Sequence, residues 1–167
     1  MPGVSAGYNR ENAVRYAHQW AYSRNPAYYD YEKLGGDCTN FASQCIFAGA
    51  GVMNHQKTGG WFYHTANDKS PSWTGVEFLR DFLVRKKKGP GPFAEEVGIQ
   101  ELMPGDVIQL SFNGIGFQHT PVVVGTGQPP RPENILIAAH SINCDNRPLN
   151  TYTYKKIRFL HIVSVRR

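Results

Sequence analysis

The sequence predicts an α+β domain spanning residues 1–167, with helices from its first half packed on a mostly antiparallel β-sheet from its second. Three observations predict it. Apolar residues recur at helical spacing up to about residue 86 and at strand spacing after residue 106. The later strands are joined by short connections, which favour antiparallel pairing. Hydrophobic residues make up 41% of the chain and charged ones 19%, an ordinary composition for a folded chain of this size with its own core.

Residues 1–8 read as a flexible arm. Asn9 offers a side-chain cap to a first helix, whose apolar face is Ala13, Val14, Ala17, Trp20 and Ala21. Asn25-Pro26 closes it, because a residue before proline disfavours the helical conformation. After Tyr28-Tyr29-Asp30-Tyr31 and Gly35-Gly36, a second helix starts at Asp37-Cys38, buries Phe41, Ala42, Cys45 and Ile46, and ends at Gly49-Ala50-Gly51. Residues 52–73 form a long connection rich in Gly, Asn, His and aromatics, a kind of loop that often carries function. Thr74-Gly75-Val76-Glu77 has the spacing of a capping box, and Val76, Leu79, Phe82 and Leu83 carry a third helix to about Lys86, before the Gly-Pro stretch at 89–92. Strands are expected at 107–112, 119–125, 135–141, a short one at 152–154, and 157–165. Pro121 removes a ladder donor from the second of these, which calls for an edge or a bulge.

Lys plus Arg outnumber Asp plus Glu by 18 to 13, a net charge of +5 gathered at Arg85-Lys86-Lys87-Lys88, Lys155-Lys156 and Arg166-Arg167. Such a balance admits nucleic acid, anionic polymers and membrane surfaces as partners. No nucleic-acid motif accompanies it, and no nucleic-acid partner is expected. No apolar run approaches the ~20 residues of a membrane-spanning helix, and the first 30 residues hold no apolar core of a signal peptide. The chain as written is therefore expected to be cytoplasmic, or a piece of a longer exported protein, and a monomer. The three cysteines, Cys38, Cys45 and Cys144, are too few for a disulfide framework and form no C-x-x-C pair, so no metal site is expected. They leave room for a reactive thiol.

Gly35-Gly36-Asp37-Cys38 is where that thiol is sought. The glycines allow a tight turn into a helix start, Asp37 can cap the helix, and Cys38 falls in its first turn. Free amides and the positive end of the helix dipole favour a thiolate there, with a pKa lowered from about 8.5 to about 3.5–7.5. The same amides can hold the oxyanion formed when a thiolate attacks a carbonyl. A thiol nucleophile needs a base. Of the six histidines, His18 lies on a polar helix face, His55 and His64 in the long loop, and His161 in phase with Ile157, Phe159 and Val163 as a sheet-face residue. His119 opens a strand after the loop at 113–116, and His140 ends the next one. Antiparallel pairing sets the start of one beside the end of the other, making His119 the base and His140 its orienting group. Asp37, Trp61 and Asn143 are expected to bind substrate, Trp61 as the best candidate for a groove wall among Tyr28, Tyr29, Tyr31, Tyr63 and Trp73.

Gly35-Gly36-Asp37-Cys38-Thr39-Asn40-Phe41, Pro104-Gly105-Asp106-Val107 and a strand led by His119 resemble the NlpC-like cell-wall peptidases and CHAP amidases. Within that group the chain resembles the bacterial putative amidase domain family. This resemblance is carried by Trp20 through Asn25-Pro26, Asp37 to Phe41 with Ser43-Gln44-Cys45, Pro104-Gly105-Asp106-Val107-Ile108-Gln109, and Ala138-Ala139-His140-Ser141, and runs from about Tyr8 to about Val165. It implies a papain-like fold and a cysteine amidase or peptidase that cleaves an amide in peptide, with cell-wall peptidoglycan as the implied substrate. Cys38 would be the nucleophile, with oxyanion support from its own amide, and His119 the base. The third member would be His140, with Asn143 and Asp145 as alternatives. An acyl-thioester forms, and no cofactor is needed. Two other readings keep the same fold: a non-catalytic wall-binding module, and an acyl transferase using the same dyad.

Overall fold

A computed structural model describes residues 6–167. The first helix, α1 (Arg10–Trp20), starts as its cap residue dictates: Asn12 N–H donates to Asn9 Oδ1 at 3.0 Å. It ends at Trp20, short of the expected stop at Asn25-Pro26, and the intervening residues form turns. α2 (Cys38–Ala50) buries nearly all of its residues, and its buried polar side chains, Thr39, Asn40, Ser43 and Gln44, each make a hydrogen bond. Gly51 closes it at φ 71°, donating its N–H to the Phe47 carbonyl.

The long connection folds into a small hairpin, β1 (Tyr63–Thr65) and β2 (Asp68–Lys69). The third helix of the sequence reading is two helices, α3 (Pro71–Thr74) and α4 (Val76–Leu83), separated by Gly75 in extended backbone. Gly75 rather than Thr74 is the cap residue of α4, so the capping box does not form. The Gly-Pro stretch that was expected only to end a helix opens a strand, β3 (Gly91–Val97). Pro92 is tolerated because β3 lies at the sheet edge.

The remaining strands are β4 (Val107–Ser111), β5 (Val122–Gly125), β6 (Leu136–Ala139), β7 (Cys144–Pro148) and β8 (Lys156–Arg166). With β3 they make a six-stranded antiparallel sheet in the order β3-β8-β4-β5-β6-β7. The protein is thus α+β with an antiparallel sheet, as the sequence predicts. The strand expected at 152–154 does not form. The sheet instead closes on β7, whose Cys-Asp-Asn-Arg-Pro sequence alternates nothing apolar. Pro121 lies neither at an edge nor at a bulge: β5 is interior, and Val107 opposite Val122 and Leu110 opposite His119 keep one register across it. Only the bond that Pro121 cannot donate is lost, while its carbonyl still accepts from Ile108 N–H at 2.9 Å.

The sheet has an apolar layer on each face. Val107, Val122, Ala138 and Leu160 pack under the helices with Phe41, Ile46, Trp61, Trp73 and Leu79. Ile108, Leu110, Val123 and Ile137 form the opposite layer with Leu102, Ile135 and Leu149. The switch of face between Val107 and Ile108, and between Val122 and Val123, is the period-two rule of a strand buried on both sides.

Asp106, fully buried, fastens α1 to the sheet. It accepts hydrogen bonds from Arg10 Nη1 (2.7 Å), Met103 N–H (2.9 Å) and Ile162 N–H (2.9 Å), and His161 Nδ1 lies 2.8 Å from its Oδ2. Residues 6–8 do not behave as an arm: Ala6 bridges Ser164, and buried Tyr8 donates its hydroxyl to the Gly105 carbonyl at 2.6 Å. The rest of that expected arm, residues 1–5, lies outside the described residues. Among the described residues no helix is long and apolar enough to cross a membrane.

Candidate active site

The chain enters α2 through Gly35 (φ 96°) and Gly36 (φ 106°), both in the left-handed region that glycine reaches at no steric cost. This turn lets Tyr31 N–H reach Asp37 Oδ1 at 2.8 Å and delivers Cys38 as the first residue of the helix. Thr39 Oγ1 meets Thr120 Oγ1 at 3.0 Å, clamping the helix start to the chain just before β5. That clamp holds Cys38 and His119 on one cleft of about 350 Å³, lined also by Gly35, Phe112, Gln118, Ser141, Ile142, Arg147 and Tyr152. A larger groove of about 560 Å³ runs along α1 past Arg10, His18 and Met103, but it holds no thiol.

Cys38 Sγ lies 3.7 Å from Thr39 Oγ1 and 3.9 Å from the Gln118 carbonyl oxygen. His119 turns Nε2 toward Tyr152 Oη at 3.3 Å, and Tyr152 Oη lies 3.6 Å from Cys144 Sγ. Burial raises the Cys38 pKa, against the opposing pull of the Thr120 and Thr39 amides and the Thr39 hydroxyl. The low thiol pKa expected from the helix start is therefore not reached, because desolvation outweighs the amides. Burial first, and the Arg147 cation second, bring His119 down to about 4. At neutral pH the pair rests as thiol and neutral imidazole.

His140 does not take the orienting role. It follows β6, which pairs antiparallel with β5, but its ring is stacked on Phe41 at 4.0 Å between centroids. Its Nδ1 is 2.6 Å from Asp37 Oδ2 and its Nε2 is 2.8 Å from the Trp20 carbonyl oxygen. Both nitrogens are committed, and they tie α1, α2 and β6 together. Asp37 is wholly buried and accepts from Tyr31 N–H and Asn40 Nδ2, besides facing His140, so it neither caps α2 nor reaches a substrate. Trp61 is fully buried, donates Nε1–H to Ser43 Oγ at 3.1 Å and packs on Trp73 at 4.7 Å, so it walls no groove. Asn143 accepts from Arg24 Nη1 at 3.3 Å and Asp145 pairs with His18 at 2.8 Å, both outside the cleft lining. In their place the cleft has Phe112, Ile142, Arg147 and Tyr152.

No solved structure matches the chain. It is similar to an uncharacterized protein of Bacillus subtilis (strain 168), YhbB, with 37% identity over 132 residues, covering 78% of this chain and 41% of that protein. The chain thus spans about two fifths of the length of that relative. Residues 7–163, from the turn before α1 to the last third of β8, match the family model described as a putative amidase domain. With the match running over nearly the whole chain, the protein belongs to this family, whose name is that of enzymes hydrolysing amides.

Proposed function

We propose that residues 1–167 form one papain-like amidase domain, akin to the NlpC and CHAP enzymes, in which Cys38 is the nucleophile and His119 the general base. The observation that carries this reading is the sharing of a single open cleft by a helix-start thiol and a strand-leading imidazole. His119 Nδ1 takes the thiol proton as sulfur attacks the amide carbon, so charge separates only when substrate is present. The oxygen that becomes negative accepts mainly from the backbone amide of Cys38, in the first turn of α2. The imidazolium then returns its proton to the departing nitrogen, leaving an acyl-thioester on Cys38. Water, deprotonated by His119, attacks the thioester carbon and frees the acid and the thiol. Tyr152, not His140, keeps the ring in the tautomer this requires, accepting Nε2–H on its oxygen while its own proton faces Cys144. The substrate class we carry forward is an amide in cell-wall peptide.

The covalent step is tested with 4-nitrophenyl acetate as acyl donor, followed by intact-mass and peptide analysis. The native protein should carry a hydroxylamine-labile acetyl group on Cys38. Cys38→Ala should carry none, and His119→Ala should acylate about 10²–10⁴ times more slowly. Acetylation confined to Cys144, or unchanged acylation in His119→Ala, would remove the reading.

A further inference from the structure

Among the described residues Arg147 and Arg85 are the half-buried arginines that form no ion pair, and of the two Arg147 lines the cleft with Cys38, whereas Arg85 is spent on the carbonyls of Phe82, Pro90 and Pro92. Arg10, Arg24, Arg80 and Arg158 each pair with carboxylates. Arg147, among the described residues, forms no ion pair, yet its guanidinium is not loose. It lies over the Tyr152 ring at 3.6 Å, donates Nε–H to Thr151 Oγ1 at 2.7 Å and donates from Nη2 to the Thr151 carbonyl at 3.2 Å. Its Nε edge is thereby fixed, and the Nη1 end is left for a ligand. A planar donor held this way is preorganised for a carboxylate, which accepts two parallel N–H bonds.

The surroundings give this cation no counter-ion. The cleft it lines with Cys38 and His119 contains no Asp or Glu. Glu32 accepts from the cleft residue Ser141 but pairs with Arg24 instead. Beyond Gly35 a second depression of about 460 Å³ brings Lys69, again with no acidic residue in its lining. The cleft of the nucleophile therefore has Arg147 as its fixed cation, with exposed Phe112 and Ile142 as apolar walls.

We propose that Arg147 is the anion-recognising residue of this cleft, and that the amide cleaved lies in a peptide carrying a free carboxylate beside the scissile bond. The inference rests on the assignment of Cys38 and His119 above and names the substrate chemistry of that site. It also gives the fixed cation a second consequence. Arg147 holds down the basicity of His119, and a carboxylate seated on it cancels that field, so the base strengthens when an acidic substrate is bound.

Two alkylating agents of nearly equal size, iodoacetate and iodoacetamide, test this without the natural substrate. The rate at Cys38 is followed by peptide mapping, and the ratio of the anionic to the neutral reagent is compared with that of a free cysteine peptide. The expected ratio at Cys38 is about three- to fivefold higher than for the peptide at low salt, falling toward the peptide's value at 1 M salt, where screening reaches about 3 Å. Arg147→Gln should abolish the excess and Arg147→Lys should keep most of it. The salt series on the native protein stands even if a variant fails to fold. An unchanged ratio in Arg147→Gln, or an excess insensitive to salt, would overturn the proposal while leaving Cys38 as the nucleophile. Iodoacetamide labelling of Cys38 no faster than of Cys144 would overturn the assignment beneath it, and the proposal with it.

Discussion

In the proposed mechanism His119 is the residue on which the chemistry turns, and its environment sets how activity would depend on pH. Burial and the Arg147 cation hold its pKa near about 4, so the base is neutral at any pH above that value. The acid limb of kcat/KM should lie near pH 4, not at the ~6.5 of an unperturbed imidazole. Removing the cation should move it: Arg147→Gln shifts the limb toward higher pH, and a pH–rate profile of both proteins checks it. A limb at the same pH in both would show that Arg147 exerts no field on the base. That Cys38 and His119 share one cleft was legible in the sequence because each sits behind a backbone signal, a glycine pair before a helix and a loop before a strand. Trp61 was not. An aromatic after two glycines reads the same whether it faces a groove or the core, and only the packing of Trp73 and Ser43 around it decides. Arg147 and Tyr152 carry no signal at all, since β7 and the turn after it have neither apolar alternation nor a motif.

At the scale of elements, the start of α2 is held by one buried carboxylate. Asp37 ties the turn at Tyr31, the helix at Asn40 and the end of β6 at His140. Removing it strands a buried imidazole and an amide in a dry environment, at a cost of about 3–5 kcal/mol. Asp37→Ala should therefore lower the denaturation midpoint severely, whereas Asn143→Ala, at an exposed contact, should change stability by less than about 0.5 kcal/mol. Chemical denaturation of the two variants measures this, and a mild effect of Asp37→Ala would show that the start of α2 is held elsewhere. The same pattern explains why His140 looked like part of the active site. Its place just after a strand that pairs with β5 was readable from antiparallel pairing, but the direction of its side chain was set by Asp37 and the Trp20 carbonyl, a meeting of three elements that no local spacing encodes. The split of α3 from α4 and the strand after Pro90 were hidden for a related reason. Glycine and proline mark a break in periodicity without saying whether an edge strand follows it.

Over the whole molecule, the helix-first, strand-later order of the sequence was enough to predict an antiparallel sheet covered by helices, because each class of element announces its period. The strand order was not readable, since β8 inserts between β3 and β4 through contacts far apart in the chain. That insertion buries Asp106 between α1 and β8 and sets the frame in which the Thr39–Thr120 clamp holds thiol and imidazole on one cleft. The net charge of +5, which the sequence offered as a sign of an anionic partner, has one local counterpart in the structure that bears on chemistry, the unpaired Arg147. The account as a whole depends on Cys38 cleaving an amide. The most direct measurement is the release of free amines from purified cell wall by the native protein and by Cys38→Ala, with the fold of the variant checked by circular dichroism. The account predicts steady release by the native protein and none above background by the variant, and equal release by both would contradict it.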